Sequence, residues 1–240
     1  MSAATFAREF FRNWKETGAI MPSSRALAHR MCEAANVPHA RRVLELGPGT
    51  GAITHVIRDC IPAEADFLGV ELNPVFVRDL QTRFPGFHFA EGCAQEYDFE
   101  SYLPPGEGFD SIVSGLPWTA FPESLQVSIL DHVLPRLVPG GSFATFAYWG
   151  FHKLRQGRHF RELLVRRPLT LVIGPDARRR EGDGLAHLRR TGRRTLGDLA
   201  VLHRQREAQL DHAVTSGVAI GPEQGVVVHY SPSIKSTAGL

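Results

Sequence analysis

Two acids and three glycines at fixed spacing define the chemistry open to this chain. Val43 to Leu46 is apolar except for Glu45, and it runs straight into a loop with glycine at Gly47, Gly49 and Gly51. An apolar run of this kind reads as a parallel strand buried on both faces. Glycines at such a turn reach φ > 0 and let a ligand approach the backbone closely. A second apolar run, Phe67 to Val70, closes on Glu71, twenty residues after Gly51. An acid at the tip of the second strand is placed to accept both hydroxyls of a ribose. The ligand expected is therefore a nucleoside, and a glycine-rich turn without any ligand is the weaker reading. A dinucleotide fits less well, because the third glycine comes one residue early for G-x-G-x-x-G. Glu45 is moreover expected to point a negative charge at the loop, which repels a diphosphate and suits a ligand carrying an ammonium and a sulfonium.

The strand and loop resemble motif I of the class I S-adenosylmethionine (AdoMet) methyltransferases. The resemblance implies AdoMet as cofactor, with contacts from Glu45, Gly47, Gly49, Gly51, Glu71 and the following Leu72. Two further patches belong at the same end of the sheet. After the third strand comes Glu91-Gly92-Cys93-Ala94-Gln95. Many AdoMet enzymes carry an acid after that glycine for the adenine amino group. Cys93 stands there instead, so the base is expected to be read by the backbone of Cys93 and Ala94, or by Gln95 or Glu96. After the fourth strand comes Val113-Ser114-Gly115-Leu116-Pro117-Trp118. It resembles the N-L-P-[YF] and N-P-P-[YF] motifs of amine-methylating enzymes, with Ser114 where those carry Asn or Asp. The resemblance gives Ser114 and Trp118 catalytic roles, an acceptor that orients an amine and a π face that steadies developing positive charge.

The elements that must position these residues follow from periodicity and punctuation. Helices are expected over 3–17, ended by Gly18, and over 24–36. The core then alternates as strand 42–46, helix 51–59, strand 66–71, helix 74–83, strand 87–91, strand 109–114, helix 123–137 and strand 142–148. That rhythm specifies a Rossmann-like α/β fold, a doubly wound and mostly parallel sheet with its ligand at the carboxyl ends of the strands. Asn73-Pro74 reads as an N-cap and first helical residue, and Pro139-Gly-Gly141 as a turn before the strand at 142. Further on, 169–173 and 225–230 could be the last strands and 195–209 a helix. One domain is expected over 1–240, with 216–240 a flexible tail rich in Gly, Ser and Pro.

With 43% apolar content in 240 residues, the chain can build a substantial core. Cys32, Cys60 and Cys93 show neither paired spacing nor a metal-binding pattern, which points to a reducing compartment without a zinc site. Charges interrupt the N-terminal apolar residues, so no leader is expected, and no run is long enough to span a membrane. The expected location is the cytoplasm, peripherally at the inner face of the membrane. Net charge is +2, yet it is strongly partitioned: +4 over 1–42, −10 over 43–151 and +9 over 152–194. Basic segments flanking an acidic core point to an anionic surface or polymer as partner.

Three motifs in order resemble the bacterial phospholipid N-methyltransferases, which convert phosphatidylethanolamine to phosphatidylcholine. They are Gly18-Ala-Ile-Met-Pro-Ser-Ser24 after a short aromatic helix, Val43 to Gly51, and Ser114-Gly-Leu-Pro117. The resemblance covers residues 3–165 and adds Ile20 and Ser23 to the cofactor wall. The rRNA adenine dimethyltransferases are more distantly similar, but they keep Asn in the fourth motif and append a helical domain. Nucleic acid is therefore the less favoured substrate, and a catalytically idle AdoMet- or membrane-binding protein is the third reading. The N-terminal helix suits a lipid: Phe6, Phe10 and Trp14 fall on one face, with Arg8, Arg12 and Lys15 on the flanks. Tyr148, at the end of the fifth strand, is expected to contact the acceptor nitrogen. Trp118, Tyr148 and Trp149 would hold methylated ammonium, and His152, Lys153, Arg155 and Arg158 the lipid phosphate. No metal and no obligatory protein partner are expected.

Overall fold

The computed structural model describes residues 25–147, 155–166, 172–174 and 226–230. The elements run α1 (Arg25–Ala34), β1 (Arg42–Leu46), α2 (Ala52–Cys60), β2 (Asp66–Glu71), α3 (Pro74–Arg83), β3 (His88–Glu91), β4 (Phe109–Ser114), α4 (Glu123–Val133), β5 (Leu137–Ala147), α5 (Arg155–Arg166), β6 (Val172–Gly174) and β7 (Val226–Tyr230). The strands form one sheet in the order β3-β2-β1-β4-β5-β7-β6. The first five pair in parallel, and β7 runs antiparallel to β5. This is the mostly parallel, doubly wound sheet expected. Its order reverses between β1 and β4, and in open α/β sheets the crevice for a ligand lies at such a reversal. The chain divides into two compact units, Met1–Ile173 with Gly225–Leu240, and Gly174–Gln224. Everything below concerns the first. Among the described residues, no helix is long and apolar enough to cross a membrane.

The strands are apolar throughout because both faces of the sheet are covered. Val43, Phe67, Phe89, Val113 and Ala144 point to the side where α1, α2 and α3 pack. Leu44, Leu68, Ile112 and Phe143 point to the other, under α4 and α5. Alternate residues of one strand thus feed opposite cores, as the period of two requires. The start of α3 is built as expected: Pro74 opens the helix and the Asn73 side chain accepts from Val75 N–H at 2.9 Å.

Departures from expectation have local causes. The helix expected over 123–137 stops at Val133, and Leu134–Arg136 tighten into a 3₁₀ turn. Pro135 has no N–H to continue the α-helical ladder. Strand β5 begins at Leu137 rather than 142, so the Pro139–Gly141 turn becomes a bulge inside it. Phe109 pairs with Leu137 but Ser111 with Ser142, and Gly140 takes φ 83° in between. The helix α5 was not foreseen, because Gly157 interrupts its apolar stripe. The strand expected over 225–230 is present as β7, whose valines pair with β5 inside the segment also read as a flexible tail. The helices expected over 3–17 and 195–209 lie outside the described residues.

One buried hydrogen bond ties α1 to the sheet: Ser111 Oγ donates to the Ala35 carbonyl at 2.5 Å. Ser111→Ala leaves that carbonyl without its partner. The variant should lose about 1–3 kcal/mol in chemical denaturation, with the slope against denaturant unchanged.

Candidate functional site

The glycine loop is held open by its own backbone and by one carboxylate. Gly47, Gly49 and Gly51 have φ of 68°, 57° and 80°, the left-handed region expected of them. Gly47 N–H donates to Val70 O and Gly51 N–H to Pro48 O, each at 2.9 Å. Gly49 N–H donates to Glu71 Oε2 at 2.9 Å, and Asn73 N–H to Glu71 Oε1 at 2.9 Å. Glu71 therefore sits at the tip of β2, bridging the loop and the start of α3. A carboxylate oxygen accepts up to two hydrogen bonds, so this geometry is compatible with a diol on the same group.

Glu45 corrects the electrostatic expectation. Its side chain is fully buried and Oε2 accepts from Thr54 Oγ1 on α2 at 2.8 Å. Its Oε1 has no hydrogen-bond partner among the described residues. Burial pushes the carboxyl up to about 8; the Thr54 hydroxyl pulls it down and the nearby Glu71 adds to the rise. Glu45 thus holds its proton more readily than an exposed glutamate, which weakens the charge repulsion of a diphosphate. An orphaned buried carboxyl oxygen beside the glycine loop instead fits a cationic group on the ligand, whose arrival would favour the ionised form. The nucleoside expected from the sequence fits the residues present on this count and on Glu71.

The loop after β4 meets the glycine loop directly. A Cβ at Gly115 would lie 2.8 Å from Gly47 O, and a Cβ at Gly47 would lie 2.8 Å from Leu116 Cδ2. Gly115 N–H donates to Leu46 O at 2.8 Å. The two loops are thus locked backbone to backbone at the β1/β4 reversal, a contact no spacing rule revealed. Ser114 is buried, and its Oγ accepts from Trp118 Nε1 at 3.0 Å, while its carbonyl accepts from Thr145 Oγ1 at 3.1 Å. Its hydroxyl is an internal strut of the loop, contrary to the substrate contact expected. Trp118 is likewise corrected. It is only 1% exposed, stacked on Phe160 at 4.8 Å and edge-on to Phe121 and Phe143. A ring covered this way offers no face to a cation, because the apolar surface of α5 already fills that space.

The third patch forms a tight turn after β3. Gly92 N–H donates to Glu71 O, and Cys93 O accepts from Glu96 and Tyr97 N–H. Cys93 and Ala94 are buried, and Leu72, just past β2, is half-buried. The Cys93 carbonyl is thus engaged in the turn. Of the basic residues expected at a phosphate, Arg155 pairs with Glu123 at 2.8 Å and Arg158 is exposed on α5. Ile20, Ser23, Tyr148, Trp149, His152 and Lys153 lie outside the described residues.

Comparisons with known proteins bear on the family and the fold. Residues 43–141 match the family described as a methyltransferase domain. The chain is 34% identical over 143 residues to the ornithine lipid N-methyltransferase of Singulisphaera acidiphila, covering 58% of this chain and 73% of that protein. It is 30% identical over 115 residues to a ribosomal RNA small subunit methyltransferase A of Synechococcus sp., which covers 47% of this chain but only 39% of that protein. Among solved structures, the O-methyltransferase TomG of Streptomyces achromogenes, in complex with SAM, aligns with a TM-score of 0.56 at 14% identity. It covers 97% of this chain and 91% of that one. The O-methyltransferase of Bacillus cereus, in complex with SAH, aligns with a TM-score of 0.55 at 11% identity, covering 96% and 91%. At these identities the structural likeness speaks for the fold.

Two outcomes follow for AdoMet. Glu71→Ala should weaken its binding at least tenfold in calorimetry while the protein stays folded, since charge-assisted hydrogen bonds contribute about 1.5–3 kcal/mol each. Unchanged affinity would remove Glu71 from the site. Binding that ionises Glu45 should tighten as pH rises towards 8 and level off above it, by up to about tenfold per pH unit. Glu45→Gln should flatten that slope. The same shift has the opposite sense for the ligand-free fold, which holds a proton the unfolded chain gives up above 4.5. Its stability should fall from that pH to about 8, and less so in Glu45→Gln.

Proposed function

Because the chain belongs to the class I AdoMet-dependent methyltransferases, we propose that it methylates the amine headgroup of a membrane lipid. Phosphatidylethanolamine and its methylated derivatives, on the way to phosphatidylcholine, are the first candidates. AdoMet supplies a methyl group on a sulfonium, and the displacement at carbon needs little from the protein beyond alignment and exclusion of water. The observation that carries the reading is the identity of 34% to a lipid N-methyltransferase, which spans 73% of that relative. The match to the ribosomal RNA enzyme covers 39% of its length, so the nucleic-acid reading has less support. An ornithine lipid also offers a primary amine, and the same relative favours it as the second candidate.

The acceptor amine must lose its proton before it attacks. An alkylammonium has a pKa of about 10.4, so only about one molecule in a few thousand is neutral at pH 7. Burial lowers that value by disfavouring the charged form. The loop after β4 supports an amine acceptor in a specific way. Ser114 O accepts from Thr145, Leu116 O from Trp118 N–H and Pro117 O from Ala120 N–H. Gly115 O, which has no hydrogen bond among the described residues, is left to orient a neutral nitrogen. With Trp118 buried, cation–π contacts to the methylated products fall to Tyr148 and Trp149. A membrane role rests on the +4 and +9 segments and on the helical spacing of Phe6, Phe10 and Trp14 in the sequence.

Tritiated AdoMet offered with vesicles of phosphatidylethanolamine, vesicles of ornithine lipid, or RNA should place label in lipid. Label in RNA alone would overturn the lipid reading. In flotation, vesicles with anionic lipid should bind the protein more than zwitterionic ones, with a loss in salt and on deleting residues 1–16. Equal flotation with both would reduce the basic segments to ordinary surface.

A further inference from the structure

A buried amide joins the β4 loop, α4 and α5. Gln126 of α4 is fully buried. Its Nε2 lies 2.7 Å from Trp118 O, 3.1 Å from Gln156 O and 3.2 Å from Phe121 O. Two N–H groups serve three carbonyls, so one proton is shared. Its Oε1 lies 2.9 Å from His159 Nδ1 on α5. Three carbonyls fix the nitrogen end of this amide, so the oxygen end must face the histidine. His159 therefore donates from Nδ1, and the whole set has one consistent polarity.

A second tie runs beside the first. Trp118 stacks on Phe160 of α5 with an interplanar angle of 16° and donates to Ser114 Oγ. Residues 115–121 are thus pinned from both sides: Gly115 and Leu116 press on the glycine loop, and Trp118 and Phe121 hang from α4 and α5. Neither Gln126 nor His159 takes part in the glycine-loop contacts. What they control is the placement of the segment that carries the Gly115 carbonyl.

We propose that Gln126 and His159 are positioning residues for methyl transfer, locking loop 115–121 onto α5 so that the acceptor side of the site stays aligned. The proposal rests on reading this loop as the acceptor's seat. In-line transfer is sensitive to placement, and a shift of about 1 Å can cost about a hundredfold in rate. A tie that served stability alone would leave the surviving folded enzyme with normal turnover.

His159 is only partly buried, so His159→Leu should fold and lose the Nδ1 donor, while His159→Asn places an amide N–H where Nδ1 stands. Gln126→Met removes the hub and tests the same tie from the other side. With phosphatidylethanolamine vesicles and saturating AdoMet, His159→Leu should lower kcat about tenfold or more, with the Kd for AdoMet unchanged. Amide hydrogen exchange over 115–121 should speed up in the same variant, and His159→Asn should restore both. A normal kcat in His159→Leu, a parallel loss of AdoMet affinity, or no rescue by Asn would overturn the proposal. The exchange measurement needs no acceptor, so it separates this failure from that of the lipid reading. If wild type labels no lipid, exchange that is unchanged in both His159→Leu and Gln126→Met still refutes the tie, and faster exchange sustains it.

Discussion

The structure depends on two backbones meeting at the point where the strand order reverses. Gly47 O sits 2.8 Å from where a Cβ at Gly115 would be, and the Leu116 side chain occupies the space a Cβ at Gly47 would need. At Gly115 the obstacle is backbone and cannot give way, and at Gly47 the φ of 68° is what calls for glycine. Since β1 and β4 are parallel neighbours in register from Val43–Ser111 to Leu46–Ser114, their following loops leave the sheet at the same level. On the reading proposed above, one loop would hold the cofactor and the other seat the acceptor. Their mutual fit sets the distance between donor and acceptor without any catalytic side chain having to bridge them.

Around that contact the polar groups divide into those proposed to meet a ligand and those that hold the loops. Glu71 holds the loops, accepting from Gly49 and Asn73 at the tip of β2, and is the residue proposed to take the ribose. Glu45 is a buried acid whose surroundings favour its protonated form and which is ready to ionise against a cation. Ser114 and Trp118 hold the loop from inside, bonded to each other. The work left for this protein is alignment and desolvation, and a site made chiefly of backbone glycines and carbonyls suits such chemistry.

The cofactor half was legible in the sequence because it is written in contiguous motifs: an apolar strand, glycines at 47, 49 and 51, and an acid at the next strand tip. Their conformations follow from residue type, and the structure bears them out in the left-handed φ values. The charge state of Glu45 was not legible, because burial comes from packing of α2 and the neighbouring strands rather than from residues beside it in the chain. Trp118 was misplaced for a related reason. Its motif position pointed towards substrate, but the face it covers was decided by Phe160 of a helix that was not foreseen. An apolar spacing was present there, at Gly157, Phe160 and Leu164, yet a glycine in a helix interior weakens that signal. The Gly47–Gly115 approach joins residues far apart in sequence, so only the three-dimensional register could show it.

A crystal structure with S-adenosylhomocysteine bound tests the central arrangement most directly. Ribose hydroxyls on Glu71, the amino-acid end beside Glu45, and an undisturbed contact between Gly47 and Gly115 are the expected result. A nucleoside seated elsewhere, or a Glu71 carboxylate turned away from the ribose, would contradict it.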